Sequence, residues 1–70
     1  MGRFAVIVPQ RLCDLAYDCL VENVGAIVDD ILDEGENATI VISSDLRRAE
    51  IVTGLLNYIP QEEVRVLSVC

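Results

Sequence analysis

Residues 10–34 read QRLCDLAYDCLVENVGAIVDDILDE, and how this stretch folds decides the architecture of the whole chain. Leu12, Leu15, Ala16, Cys19, Leu20, Val24, Ile27, Val28 and Ile31 recur at steps of three and four, the α-helical period. The pattern predicts one helix over 10–34, closed by Gly35 as its C-cap. On one side of the stretch, Arg3–Val8 (RFAVIV) is apolar, β-branched and stopped by Pro9, which predicts a buried strand. On the other, Ala38–Ile42 (ATIVI) predicts a second. Ser43, Ser44 and Asp45 are good N-cap residues for a helix over Leu46–Ile59, with Ala49, Val52, Leu55, Leu56 and Ile59 on its apolar stripe. Val64–Val69, interrupted by Arg65 and Ser68, predicts an edge strand.

This order predicts an α/β fold: a minimal β-α-β-α-β single domain over residues 1–70. Its three-stranded sheet is expected to be mainly parallel, first in the order 2-1-3 with one helix on each face; the order 1-2-3, with both helices on one face, is allowed only if another chain covers the bare face. One dimension does not fit. A helix over 10–34 spans roughly 37 Å, against roughly 20 Å for a six-residue strand. Either it breaks near Asn23-Val24-Gly25, three poor helix formers together, or its apolar end projects and needs a cover. The second option predicts a homo-oligomer, a dimer first, through Ile27, Val28, Ile31 and Leu32.

The 70 residues carry twelve acids, five arginines and no lysine or histidine, for a net charge of −7. That balance argues against direct nucleic-acid binding. Without histidine or lysine there is no His-Asp relay, His-ligated metal or Schiff base, and Ser43, Ser44, Thr53 and Ser68 lack an activating base. We therefore expect no enzymatic activity, no cofactor and no metal. Asp29, Asp30, Asp33, Glu34 and Glu36 do not fit a calcium loop. The run Phe4–Val8 is too short for a signal peptide or membrane span. Cys13, Cys19 and Cys70 are expected to be reduced thiols, since six residues of regular helix cannot close a disulfide. Reduced thiols suit a cytoplasmic protein.

From Leu12 to Leu46 there are nine acids and no base. On a continuous helix Asp14, Asp18, Glu22, Asp29, Asp33 and Glu36 share one arc of about 100°, opposite the apolar stripe. Like charges four apart are mutually unfavourable, and this stretch has no opposite charge to relieve them. Such a field steers a protein toward a basic partner. Asp14, Asp18, Glu22, Asp29 and Asp33 are thus candidates for docking on a basic protein surface, as small phage-type inhibitors and nucleic-acid mimics do. A regulator or inhibitor of this kind is the first functional expectation. The second is a phosphate or nucleotide binder at the strand-to-helix corner, with Ser43, Ser44, Arg47 and Arg48 near a helix N-terminus. The third is a transcriptional regulator: strand, proline, helix resembles the start of a ribbon-helix-helix repressor. In that family the outward strand side chains are polar, whereas here they are apolar and only Arg3 and Arg11 flank them.

The string SSDLRRAE at 43–50 resembles a piece of the histidine phosphatase family, where a similar run opens a helix. That family's catalysis uses a histidine nucleophile in an Arg-His-Gly motif. With no histidine in the chain, the activity does not carry over.

Overall fold

The 10–34 stretch folds as two elements, because Gly25 ends the helix and the apolar tail becomes a strand. In the computed structural model, which describes residues 1–69, β1 spans Gly2–Pro9. A 3-10 turn at Gln10–Leu12 leads into α1 (Cys13–Cys19), which continues as a π-helical turn over Leu20–Val24. Gly25 then adopts φ 71°, and the Ala26 amide donates to the Leu20 carbonyl at 2.9 Å, closing the helix end. A left-handed residue here favours glycine, whose missing Cβ removes the steric penalty. No atom lies within 4 Å of a Cβ built on Gly25. Gly25→Ala is therefore expected to cost about 1 kcal/mol from backbone strain alone, measured as a shift of the urea midpoint with unchanged slope.

The tail forms β2 (Ile27–Glu34), which turns through Gly35-Glu36 into β3 (Asn37–Ser44). Gly35 sits at φ 79° in the first position of a two-residue loop, the place a II′ hairpin reserves for glycine. Then follow α2 (Arg48–Leu56), a 3-10 turn at Gln61–Glu63 and β4 (Arg65–Ser68). The sheet has four strands in the order β2-β3-β1-β4, and every neighbouring pair is antiparallel.

This corrects the three-stranded, mainly parallel expectation. The apolar runs of β3, β1 and β4 do lie side by side, but β2 has been inserted between β1 and β3 in the chain. One extra strand reverses the direction of everything after it. The result is the β-α-β-β-α-β, split β-α-β (ferredoxin-like) connectivity. Its two crossovers put both helices on one face of the sheet, where one helix per face was expected. Phe4, Val6, Val8, Ile40, Ile42 and Val66 on that face pack with Ala16, Cys19, Leu20, Ile51 and Leu55 from the helical segments as one core. The length conflict also disappears. Residues 10–24 span roughly 22 Å of helix, against roughly 27 Å for an eight-residue strand.

The second helix is shorter than its predicted span, and its cap differs. Arg47 is the N-cap residue, and its amide donates to Glu50 Oε1 at 3.1 Å. Ser44 Oγ accepts from the Leu46 amide at 3.1 Å and shapes the approach to the helix. No helix among the described residues is long and apolar enough to cross a membrane. The reading of Cys70 lies outside the described residues.

Candidate functional site

The structure divides the predicted acid stripe between three surfaces. Asp14, Asp18 and Glu22 are exposed on α1 and its π turn. Asp29 belongs to a bulge in β2, where Asp29 and Asp30 together oppose Val41. The bulge turns Asp29 toward the sheet face away from the helices. There it accepts a hydrogen bond from Ser43 Oγ at 2.6 Å and lies 3.6 Å from Arg3 Nε. Asp33 accepts from Gln10 Nε2 at 2.6 Å and from the Gly35 amide at 3.2 Å, tying the hairpin to the start of the helix. Asp29 and Asp33 therefore work within the chain, and only the first three acids form one surface.

That surface has features that the charge pattern alone did not reveal. Leu15, Asp18, Cys19, Glu22, Asn23 and Tyr58 line an open cleft of about 230 Å³ between the first helical segment and the chain just past α2. Leu15 is 40% and Tyr58 51% exposed, so the cleft offers apolar and aromatic contact area between two carboxylates. Tyr17 and Val21 extend the exposed apolar area along the same helical segment. The nearest base in sequence, Arg11, is already paired with Glu63. Tyr58 falls within the predicted helix over Leu46–Ile59 but off its apolar stripe. Its place here depends on how α2 crosses α1, which no local pattern encodes.

Cys19 forms the floor of the cleft, with its thiol 3.5 Å from the Gly54 carbonyl. Burial raises its pKa, partly offset by a hydrogen bond from Asn23. Burial also raises the pKa of Cys13, with the Asp14 and Asp33 carboxylates adding to the effect. Both are free thiols. A raised pKa in the folded state means that the unfolded chain loses its thiol protons first. The thiols thus favour folding fully below the ordinary range near pH 8.5, and this contribution is lost as pH rises through the folded values. The urea midpoint is expected to hold at neutral pH and fall above about pH 9. Site-resolved alkylation at neutral pH should label the 2%-exposed Cys19 far more slowly than the unfolded chain.

The oligomer candidates also separate. Ile27 and Leu32 pair with Ser43 and Thr39 on the sheet face without helices. Val28 and Ile31 pair with Ile42 and Ile40 on the helix face, where Val28 packs against the core.

The side chains of Ser43, Ser44 and Arg48 point in different directions. Ser43 and Ser44 point to opposite faces of β3, and Ser43 is engaged with Asp29. Arg48 Nε donates to the Val66 carbonyl at 2.6 Å, covering part of the open edge of β4. This explains a charge in the sheet-facing stripe of α2: the guanidinium reaches past the apolar layer to an unpaired backbone group.

Comparisons with family models, curated proteins and solved structures find no match. The connectivity alone carries no function, since one topology hosts many unrelated activities. β1, the strand a ribbon-helix-helix protein would pair with a second copy, is bonded along both edges within the chain. Among the described residues no group of three or more His, Cys, Asp or Glu side chains is placed to hold a metal ion.

Proposed function

We propose that this is a small, non-catalytic, cytoplasmic binding protein, a regulator or inhibitor, that docks its first helical segment on a basic surface of a protein partner. The supporting observation is the cleft in which Asp18 and Glu22 flank Leu15 and Tyr58. Interfaces draw affinity from buried aromatic and aliphatic anchors, while surrounding charges set orientation and on-rate. Leu15 and Tyr58 are the anchors here, and Asp14, Asp18 and Glu22 the steering charges. A partner segment with arginines or lysines beside an apolar side chain matches this arrangement.

The placement of these acids also opposes helix stability. The helix macrodipole disfavours anions near a C-terminus. Asp18 and Glu22 nevertheless occupy the closing turns of the helical segment, which carry no base. Residues kept against local stability are expected where function needs them.

The test is capture of partner protein from the source cell's lysate, with Asp14→Asn/Asp18→Asn/Glu22→Gln as the control bait. The same protein should be retained by the native chain, lost by the triple variant and released as salt rises. A partner held equally by both baits at high salt would place the contact elsewhere.

A further inference from the structure

No helix covers the sheet face opposite α1 and α2, and its side chains form an ordered grid in which Ala5, Ile7 and Val41 are half-buried and Thr39, donating to the Glu34 carboxylate, is buried. Level by level from β2 to β4, one row reads Leu32, Thr39, Ile7, Arg65 and the next Asp30, Val41, Ala5, Leu67. In these two rows the middle columns hold Val41, Ala5 and Ile7, with Thr39 as the one polar residue. Leu32 and Leu67 remain 43% and 46% exposed, and Ile27, also on this face, 56%. The charge is polarised across the grid. On the β2 side stand Asp30 and Glu34; on the β4 side stands Arg65, with no ion-pair partner among the described residues. Arg3 and Asp29, 3.6 Å apart, largely neutralise one another.

We infer that this face packs against the same face of a second copy, related by a two-fold axis parallel to the strands. That axis keeps the rows level and reverses the columns, so β2 lies over the partner copy's β4 and β3 over its β1. Arg65 of each copy then meets Leu32 of the other and lies between Asp30 and Glu34. In the centre, Thr39 faces Ile7 and Val41 faces Ala5, larger residues against smaller. A two-fold axis perpendicular to the strands would instead stack acidic β2 on acidic β2. The charge pattern thus selects both the occupant and the geometry, an isologous pair of sheets about 10 Å apart. Four strands about 4.8 Å apart over about 20 Å present roughly 400 Å² of projected face per copy. With side-chain relief, the pair buries about 1,000 Å² or slightly more in total, the lower range of specific interfaces. The face is separate from the Leu15–Tyr58 cleft and leaves it open in both copies.

Sedimentation equilibrium on the full chain at tens of micromolar tests the inference. The native protein is expected at twice its 7.7 kDa chain mass. Arg65→Glu, which sets like charges opposed at two symmetric places, should weaken the dimer by about a hundredfold or more. Leu67→Asp, facing Asp30 of the other copy, should do the same. Asp30→Arg/Glu34→Arg should also dissociate alone. Mixed one to one with Arg65→Glu, it should restore a heterodimer, because both halves of that interface carry opposite charges again. Circular dichroism identifies any variant that does not fold; Arg65 and Leu67 are exposed, so their variants carry the test without the β2 pair. A native monomer overturns the inference. So does a dimer that survives both Arg65→Glu and Leu67→Asp.

Discussion

Ile40→Ala is expected to remove about half or more of the folding free energy, lowering it by about 2–5 kcal/mol. Domains are stable by about 0.05–0.15 kcal/mol per residue, which for a chain this short is roughly 4–10 kcal/mol. A domain of this size buries only about 60% of its unfolded surface, so it has little apolar contact to spare. Ile40 is fully buried at the middle of β3, level with Ile31 and Val6, on the face that the helices cover. The core's only aromatic is Phe4, one cross-strand level away opposite Ile42, so the void is lined mainly by aliphatic side chains. Urea and thermal unfolding of Ile40→Ala beside Leu56→Ala, at a 40%-exposed position, check this directly. The second change should cost under about 1 kcal/mol. Equal losses at the two sites would mean that the helices do not cover that sheet face.

Asp18→Lys/Glu22→Lys is expected to reduce affinity for the basic partner by about a hundredfold or more, because like charges brought together across an interface cost several kcal/mol. The same change should leave the fold intact and raise its melting temperature slightly. It relieves repulsion along Asp14, Asp18 and Glu22 and places cations near a helix C-terminus, effects worth a few tenths of a kcal/mol each. It also shifts the net charge of −7 by four units toward neutrality. Lower affinity with equal or higher stability would show that these carboxylates serve a partner and not the fold. A variant that binds unchanged would reduce the cluster to solvated surface. Titration calorimetry at two salt concentrations and a thermal melt give both readings.

The misreading of residues 25–34 has a definite cause. The bulge at Asp29 and Asp30 advances β2 by one residue, so Val28 and Ile31, three apart, fall on the same face. In an unbroken strand that spacing would put them on opposite faces, and it is also the helical step. The hairpin did leave a local signal: Gly35-Glu36 is a two-residue, glycine-first loop between eight-residue runs at 27–34 and 37–44. Reading Gly35 as a helix cap consumed that signal. The cleft acids Asp18 and Glu22, with Asp14 on the same helical surface, were legible because one helical turn separates successive members. Tyr58 was not, because forty residues separate it from Asp18 and only helix packing brings them to one cleft.

By itself the sequence determined which segments are apolar, that a helical segment follows Pro9, that the chain is strongly anionic, and that no side chain can serve as a histidine or lysine base. These follow from local composition and from repeats within a few residues. Tertiary structure alone decided the direction of the strands, the placing of both helices on one face and the bare grid that this leaves behind. Those depend on whether ten residues after Gly25 gain more from hydrogen bonding along β3 than from extending a helix into water. The backbone can satisfy its polar groups either way, so the choice rests with the neighbouring strand.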